Sequence, residues 1–291
     1  MRVGNVRRDG SILPALVTEE HAYPLRVIPQ SLEPELGPAL AVLLTLTSGL
    51  DTVYEVAQAA ISRGSIEPEP LSSLAPPVLR PGKVICVGRN YAEHARETGS
   101  DIPAQPLLFA KFASAVIGPF DDIVRPGTVA DLDYEGELCV IIGQTARHDR
   151  DHALEHVAGY CCANDVSART EQLRMGDQWL RGKSHDTFCP LGPAIVTPDE
   201  VGDVQSLHIT TRIDGEVRQD DTTAHMLFDV ATLVSYCSAA FTLEPGDILL
   251  TGTPPGVALG RTPPPWLQPG QDCEVEIERV GRIANRVVDV T

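Results

Sequence analysis

The chain lacks any apolar run long enough to cross a lipid bilayer. Its longest such stretch, Pro38 to Leu46, covers nine residues, whereas a transmembrane helix needs about 20. The amino terminus also has no apolar core of the secretory-signal type, because Arg2 follows Met1 directly and two further arginines come soon after. We therefore expect a soluble, cytoplasmic protein that does not insert into membranes.

Positive charge is scarce. The 23 lysines and arginines stand against 40 aspartates and glutamates, which gives a formal net charge of −17. Nucleic acids and anionic membrane surfaces are negatively charged and bind proteins that present a positive surface. The net charge of this chain therefore argues against both as partners. A small anionic substrate remains compatible with this charge, because a bound cation and a few local basic residues can reverse the sign inside a cleft.

Several catalytic and metal-binding motifs are missing. The seven cysteines are odd in number, lie mostly in apolar runs and form no C-x-x-C, so neither a disulfide framework nor a zinc site is predicted. The chain contains no G-x-S-x-G, H-E-x-x-H or G-x-G-x-x-G. The passage GDQWLRGKS is close to a phosphate-binding loop, but five residues separate its glycines where that loop has four.

The residues that are present predict an α+β fold in which strands predominate. Apolar residues make up 43% of the chain, and its 24 glycines and 24 prolines suit many short turns. A proline-rich passage near residue 75 predicts a boundary between a small N-terminal α/β domain, residues 1–75, and a larger domain, residues 76–291. Strands are predicted at residues 2–6, 11–17, 83–88, 137–142, 159–163, 207–213, 247–251, 272–278 and 283–290. Helices are predicted at residues 38–46, 52–63, 89–97, 151–157 and 226–240.

Three carboxylates stand at alternate positions immediately before the most apolar of these strands. Asp133, Glu135 and Glu137 precede the run CVIIG, and a strand projects such positions to one face. Like charges packed this closely are unfavourable unless something positive lies between them. Two interpretations stay open on this pattern alone: a solvated strand edge, or a site for a hard divalent cation that prefers oxygen ligands.

Other chemically capable residues follow predicted strands or lie in glycine-rich turns. Asp165 comes after the strand at 159–163, where an aspartate that caps a turn is the ordinary alternative. Lys183 lies between a glycine and a passage rich in proline and glycine, although a lysine is usually a surface group. Thr253 stands in the turn TGTPPG directly after the strand at 247–251, a place that presents side chains to ligands.

The motifs taken together resemble the fumarylacetoacetate hydrolase family, in its branch of bacterial acylpyruvate hydrolases and 2-hydroxyhepta-2,4-diene-1,7-dioate isomerases. The resemblance spans about residues 80–290, in the order VGRNYAEHARETG, LDYEGEL, NDVSARTEQ, QWLRGKSHDTFCPLGP, GEVRQDDTTAHMLF and LEPGDILLTGTPPGV. It implies a mixed β-sandwich or β-roll domain that is usually a homodimer and holds Mg²⁺ or Mn²⁺. Members cleave carbon–carbon bonds in acylpyruvate-like acids, and relatives decarboxylate or isomerise similar 2-oxo acids.

The resemblance also implies roles for individual residues, with Asp133 left as a structural neighbour. The implied metal ligands are Glu135, Glu137 and Asp165. The implied catalytic residues are His94, Glu97 and Lys183, and the implied substrate-binding residues are Tyr91, Arg169, Gln172 and Thr253. At i and i+3 of a helix, His94 and Glu97 share a face, so the carboxylate can orient the imidazole; a lone H-x-x-E is otherwise a surface pair.

The function expected from this resemblance is metal-dependent hydrolysis of a carbon–carbon bond in an acylpyruvate or another 2,4-dioxo acid. The alternatives are decarboxylation of oxaloacetate, isomerisation of a hydroxymuconate-type acid on the same site, or a catalytically silent metal-binding protein. Thr170 and His185 depart from the family pattern beside Arg169 and Lys183. These departures leave the substrate more open than the metal.

Overall fold

The structure is a computed structural model that describes residues 1–25, 50–176 and 178–290. Its strands are β1 Arg2–Arg8, β2 Ser11–Val17, β3 His21–Pro24, β4 Glu69–Pro70, β5 Leu74–Ala75, β6 Val84–Gly88, β7 Leu107–Lys111, β8 Val116–Ile117, β9 Ile123–Arg125, β10 Leu132–Asp133, β11 Gly136–Ile142, β12 Val157–Asn164, β13 Ser167–Ala168, β14 Cys189–Val196, β15 His208–Ile213, β16 Glu216–Thr222, β17 Ile248–Leu250, β18 Asp272–Ile277 and β19 Gly281–Asp289. Its α-helices within the described ranges are α1 Leu50–Ser62, α2 Ala92–Glu97, α3 Arg169–Leu173, α4 Leu180–Lys183, α5 Pro198–Val201 and α6 Val230–Ala240.

The strands form one large sheet, one five-stranded sheet and a short two-stranded pair. The large sheet has the order β4-β3-β2-β1-β14-β12-β11-β17-β6-β7, with β5 on β1 and β8 on β14. The five-stranded sheet has the order β16-β15-β18-β19-β9, and β10 pairs with β13. Parallel and antiparallel pairs both occur in the large sheet. The predicted fold class, α+β with strands predominating, is confirmed.

Strand β11 lies in the interior of the large sheet and is buried on both faces. Cys139 and Ile141 belong to one apolar cluster, whereas Leu138, Val140 and Ile142 belong to another. The second cluster also holds side chains of α6 and of the five-stranded sheet. A strand covered on both sides reads as a continuous apolar run, which is why the sequence after Glu137 shows no alternation.

The N-terminal strands extend the large sheet. Strand β1 pairs with β14 in the register Arg2↔Val196, and β5 pairs with β1 on its way into the proline-rich passage. The Asn5 side chain donates to the carbonyls of Pro76 and Pro77 at 2.7 and 3.0 Å, which holds that passage against β1. The division of the chain near residue 75 stays a prediction.

Three predicted helices differ from the structure. The segment 151–157 is not an α-helix: it forms a 3-10 turn at Ala153–His156 and then enters β12 at Val157. The helix predicted from residue 226 begins at Val230, because the Asp229 carboxylate accepts from the Thr232 amide at 2.7 Å and caps it there. The helix predicted from residue 89 begins at Ala92.

The helix predicted at residues 38–46 lies outside the described residues. Among the residues that the structure describes, no helix is both long enough and apolar enough to span a membrane.

Candidate functional site

The acidic residues meet because β11 and β12 are antiparallel neighbours. Gly136, the first residue of β11, pairs with Asn164, the last residue of β12. The residues just outside the pair are therefore adjacent, and the Asp165 amide donates to the Glu135 carbonyl at 2.8 Å. Carboxylate oxygens of Glu135, Glu137 and Asp165 lie within 4.8 Å of one another, and all three side chains are buried.

Three buried cations hold two of these carboxylates, Glu135 and Asp165. The Lys183 Nζ atom donates to Glu135 Oε2 at 2.6 Å and to Asp165 Oδ2 at 2.7 Å, so it bridges two acids. Lys111 Nζ donates to Asp165 Oδ1 at 2.5 Å. Arg169 Nη2 donates to Glu135 Oε1 at 2.6 Å. A buried charge without a partner strongly destabilises the folded protein. A substitution in this cluster is therefore tolerated only where it leaves no buried charge unpaired.

Lys111 is a site residue that our sequence analysis missed. It ends β7, whose sequence LLFAK is apolar up to that point, and its side chain is fully buried. Besides the bond to Asp165, its Nζ donates to the Val166 carbonyl at 3.1 Å. A lysine that ends an apolar strand was the available signal, but nothing local to the chain indicates that Asp165 lies beside it.

Replacing Lys111 by methionine is expected to lower the free energy of unfolding of the metal-free protein by about 1.5–3 kcal/mol, the range for a hydrogen bond to a charged group. Asp165 would keep Lys183, which limits the loss. Urea denaturation with a chelator present measures it. The matched control is Arg286→Met, whose exposed guanidinium pairs with the exposed Asp272, for which we expect less than about 1 kcal/mol. Equal losses in the two variants would contradict this expectation.

The surroundings shift the pKa values of the two glutamates of the cluster in opposite directions. Burial would raise the pKa of Glu135, but Arg169, Lys183 and His94 outweigh it and hold that pKa well below its usual range. Burial would likewise lower the pKa of Lys183, yet Asp165 and Glu135 raise it. Glu137 differs: burial and the negative charges of Asp165 and Glu135 raise its pKa well above the ordinary value.

The donor set fits a hard divalent cation. Three carboxylates supply the oxygen ligands that Mg²⁺ and Mn²⁺ prefer. Among the described residues, the hydrogen bond to Glu137 comes from the Gly252 amide, which donates to Oε2 at 2.7 Å, and the neighbouring acids disfavour the charge of Glu137. A cation held among the three carboxylates would remove that repulsion. With Asp133 included, four buried acids face three buried cations, so a divalent ion would leave a net positive site for an anionic ligand.

Asp133 has a structural role in the described contacts. Its carboxylate accepts from the amides of Tyr134, Ala258 and Leu259 at 2.8 to 3.0 Å, and from Arg169 Nε at 2.8 Å. It therefore ties the segment before β11 to the loop after β17. This agrees with its exclusion from the implied ligand set.

The guanidinium of Arg169 is hydrogen-bonded to protein side chains through all three of its nitrogens. Its Nε and Nη2 donate to Asp133 and Glu135, and its Nη1 donates to Gln172 Oε1 at 2.8 Å. The guanidinium thus orients Glu135 and fixes the amide of Gln172. Its role in binding a substrate carboxylate stays a prediction.

His94 and Glu97 form a dyad on α2. The His94 Nδ1 atom lies 2.9 Å from Glu97 Oε1, and the Glu97 carboxylate also accepts from the Gly256 amide at 2.9 and 3.0 Å. Gly260 makes room for this carboxylate, because a Cβ there would come within 2.7 Å of Glu97 Cδ. The dyad leaves His94 Nε2 as the ring nitrogen that can exchange a proton with a bound molecule.

A cavity of about 60 Å³ adjoins the acidic cluster. The residues that line it come from both the acidic cluster and its surroundings: Val87, Gly88, Arg89, His94, Thr98, Ser100, Phe109, Glu135, Glu137, Arg169, Gln172, Leu173, Trp179, Lys183, Thr253 and Leu259. The structure therefore brings most of the predicted site residues to one cavity. Asp165 lies beneath it, bonded to Lys111 and Lys183.

Tyr91 is placed differently from the other predicted site residues. It is buried, does not line the cavity, and its hydroxyl has no hydrogen-bond partner among the described residues. Burial, together with the negative charges of Glu137 and Asp221, raises the pKa of this phenol. Tyr91 is thus a neutral side chain near Glu137, and its contact with a substrate stays a prediction.

Thr253 lines the cavity and also joins two elements. Its hydroxyl donates to the Gly136 carbonyl at 2.9 Å and accepts from the Gln219 amide group at 2.7 Å. Gln219 in turn accepts from the Gly136 amide at 3.0 Å. The turn after β17 is in this way fastened to the first residue of β11.

The two departures from the family pattern lie outside the cavity lining. The Thr170 hydroxyl donates to Asp131 Oδ2 at 2.5 Å, where the acid also accepts the Thr170 amide at the start of α3. His185 Nε2 lies 2.9 Å from Glu171 Oε2, and its ring packs on Phe188 with the centroids 5.0 Å apart. Both substitutions are satisfied by partners within the protein.

Comparisons with known proteins agree with this geometry. A family model described as fumarylacetoacetate (FAA) hydrolase C-terminal matches residues 83–288. The chain is 46% identical over 245 residues to oxaloacetate tautomerase FAHD2A, mitochondrial, of Bos taurus, covering 84% of this chain and 78% of that protein. It is 44% identical over 255 residues to the Homo sapiens protein of the same name, covering 86% and 81%.

Two solved structures extend the comparison. Fumarylacetoacetate hydrolase from Exiguobacterium antarcticum is 38% identical with a TM-score of 0.82, over 100% of both chains. Maleylpyruvate hydrolase from Sphingobium sp. SYK-6, in complex with manganese(II) ion and pyruvate, is 29% identical with a TM-score of 0.79, again over 100% of both chains. The family model covers most of the chain, and the buried acidic cluster lies inside the matched region. This protein belongs to the fumarylacetoacetate hydrolase family.

Proposed function

We propose that this protein is a divalent-metal-dependent enzyme that interconverts the keto and enol forms of oxaloacetate, with His94 moving the proton at C3. The observation that carries the proposal is the placement of His94, oriented by Glu97, on the same cavity as Glu135 and Glu137, two of the three clustered buried carboxylates. Sequence identity of 46% to a protein named oxaloacetate tautomerase supports the choice of substrate. The activity is nearer to the isomerase alternative of the sequence analysis than to hydrolysis.

His94 has the geometry of a general acid–base group. Glu97 holds Nδ1 at 2.9 Å, so the proton-exchanging position is Nε2. In the keto-to-enol direction, Nε2 takes a proton from C3, the electron pair of that bond forms the C2–C3 double bond, and the imidazolium then gives the proton to the 2-oxo oxygen, so His94 ends neutral; the reverse direction runs through the same steps. A well-placed general acid or base contributes about 10²- to 10⁴-fold to the rate.

Glu135, Glu137 and Asp165 would hold the Mg²⁺ or Mn²⁺. When bound, the ion supplies Lewis acidity that favours loss of a proton beside a 2-oxo group. Lys183 keeps Glu135 and Asp165 in place through its two bonds of 2.6 and 2.7 Å. Its buried positive charge also favours an anionic substrate in the adjoining cavity.

The remaining predicted residues would position the substrate. Gln172 gives its Oε1 to Arg169, so its amide NH₂ group is the part left to donate towards the cavity that it lines. Thr253 already donates its hydroxyl proton to Gly136, so towards a substrate it acts as an acceptor or through its methyl group.

Hydrolysis of an acylpyruvate to pyruvate and a carboxylic acid is the second candidate. The same dyad could deprotonate a water molecule instead of C3, and a structural relative is named maleylpyruvate hydrolase. Decarboxylation of oxaloacetate, by contrast, breaks its carbon–carbon bond without a base, so that step does not depend on His94 and Glu97. The dyad therefore favours proton transfer or water activation over decarboxylation.

Product identity tests the proposal. The purified protein is incubated with enol-oxaloacetate, or with a panel of acylpyruvates, in the presence of Mg²⁺ or Mn²⁺ and separately with a chelator. We expect loss of the enol absorbance without release of pyruvate, and loss of this activity when the metal is removed. If the protein releases pyruvate from an acylpyruvate faster than it converts enol-oxaloacetate, hydrolysis and not tautomerisation is its main activity. Pyruvate formed from oxaloacetate would indicate decarboxylation.

We also propose that the enzyme works as a homodimer, as the family resemblance implies. Sedimentation velocity at working concentrations tests this. Cytoplasmic localisation stays a prediction, since the mammalian relatives carry the word mitochondrial in their names.

A further inference from the structure

We propose that Arg89 selects substrates with a second carboxylate by binding the carboxylate at the end of the four-carbon chain remote from the 2-oxo group. This inference rests on the proposed function, because it assigns the substrate class of the same site. It predicts a preference for 2-oxo diacids over 2-oxo monoacids of equal length. It follows from the placement of Arg89, from its surroundings and from the lack of an acidic partner for it among the residues that the structure describes.

Arg89 differs from the other cations of the site in its partners. Arg169 and Lys183 also line the cavity, and both are bonded to buried carboxylates. Lys111 is bonded to Asp165. Arg89 lines the same cavity, is half-buried, and forms no ion pair with any acid among the residues that the structure describes. Its charge is therefore available to an anionic group that enters the cavity.

The guanidinium of Arg89 is held in place by an aromatic platform. Its Cζ atom lies 5.5 Å from the ring centroid of Trp179, a distance at which a cation and an indole attract each other. Trp179 is itself fixed: its ring packs edge-on against Phe109 at 5.2 Å. A Cβ at Gly88 would come within 2.6 Å of the indole, so the missing side chain there lets Trp179 lie against the backbone.

The backbone at Arg89 is set by its neighbour. Arg89 has φ +57°, a left-handed conformation that non-glycine residues rarely adopt unless their surroundings enforce it. The next residue, Asn90, is fully buried; its side chain donates to the carbonyls of Phe228 and Thr251 and accepts from the Phe228 amide, at 2.8 to 3.0 Å. These bonds hold the turn that directs Arg89 to the cavity wall.

The chemistry of the substrate class matches this placement. A four-carbon 2-oxo diacid places one carboxylate beside its 2-oxo group and a second at the far end. The 2-oxo end is the part suited to the acidic cluster and its cation. The far carboxylate needs a separate cation, and a guanidinium can bind it through two parallel hydrogen bonds. Among the described residues that line the cavity, Arg89 is the cation whose donors are not bonded to acids.

The experiment compares two pairs of compounds that differ only by a carboxylate or a methyl group at C4. Calorimetry with Mn²⁺ present measures binding of malate and of 2-hydroxybutanoate, which do not react. Exchange of the C3 protons with deuterium, followed by NMR, measures turnover of oxaloacetate and of 2-oxobutanoate. The proteins are wild type, Arg89→Met, Arg89→Lys and Arg89→Gly, the last of which suits the left-handed backbone and protects against misfolding.

We expect wild type to prefer malate, and Arg89→Met and Arg89→Gly to bind malate about 10- to 100-fold more weakly, the loss of one charge-assisted interaction. Binding of 2-hydroxybutanoate should stay within about twofold of wild type, and Arg89→Lys should recover part of the preference because it keeps the charge. The matched control is Arg96→Met, which removes an equal charge from the exposed face of α2, where Arg96 pairs with Glu93. This control should bind both compounds as wild type does.

Two results would overturn the inference. One is equal affinity of wild type for malate and 2-hydroxybutanoate; the other is an equal loss for both compounds in the Arg89 variants, which would indicate a structural role. The proposed tautomerase activity fails in a different way: wild type would show the malate preference and its dependence on Arg89 but no enhanced deuterium exchange in oxaloacetate. The binding and turnover arms thus separate the two proposals.

Discussion

Replacing Glu137 by glutamine is expected to weaken binding of Mn²⁺ by more than about 100-fold. Substitution of a residue that only supports a metal ligand costs about 10- to 100-fold in affinity, and loss of a ligand should cost more. The metal-free variant should stay folded and be at least as stable as wild type. Among the described residues, Glu137 is the acid of the cluster that has no bonded cation, so its removal leaves none of their buried positive charges unpaired. Its pKa is already raised by burial and by Asp165 and Glu135, so a neutral side chain of equal shape removes an unfavourable charge.

Calorimetric titration with Mn²⁺ and chemical denaturation with a chelator measure the two parts of this prediction. The glutamine carbonyl can still accept from the Gly252 amide, which bonds to Glu137 Oε2 at 2.7 Å in the structure. Asp165→Asn is the contrasting variant, because it deprives Lys111 and Lys183 of a carboxylate and should cost about 3–5 kcal/mol of stability as well as the metal. Wild-type affinity for Mn²⁺ in Glu137→Gln would remove this residue from the metal site.

Replacing His94 by glutamine is expected to lower the rate of enol–keto conversion by about 10²- to 10⁴-fold, the contribution of a general acid–base group. Affinity for Mn²⁺ should change little, because His94 lies outside the three-carboxylate cluster. Glu97→Gln should cause a smaller loss, since it leaves the imidazole in place and removes the carboxylate that orients it at 2.9 Å. Stopped-flow absorbance of the enol and C3 deuterium exchange both measure the effect.

The matched control for the dyad is Glu93→Gln. Glu93 lies on the same helix, is exposed and pairs with Arg96, so its charge can be removed without reaching the cavity. We expect wild-type rates from this variant. An unchanged rate in His94→Gln would show that the C3 proton is moved by another group and would remove His94 from the proposed mechanism.

Within single elements, the sequence allowed accurate predictions. The strand predicted at 11–17 has the bounds of β2, and the strand predicted at 137–142 differs by one residue from β11. The spacing of His94 and Glu97 placed them on one face of a helix, as the structure has them. Segment 151–157 shows where prediction from local pattern fails. Its residues are compatible with a helix, but the chain enters β12 at Val157, where it pairs with β11 and β14. The resemblance to a family supplied the ligand set that spacing alone left open.

Tertiary structure decided what surrounds those elements. Asp165 stands 30 residues after Glu135 in the chain, and only the antiparallel pairing of β11 with β12 brings the two together. Strand pairing elsewhere in the large sheet likewise brings Lys111, at the end of β7, and Arg89, after β6, to the site. Tertiary contacts also determine that Nε, Nη1 and Nη2 of Arg169 all donate to side-chain oxygens of the protein. Local chain geometry determines which side chains share a face over a few residues. The partners of a buried charge, however, depend on strand pairing and packing across the whole sheet, which no short stretch of sequence specifies.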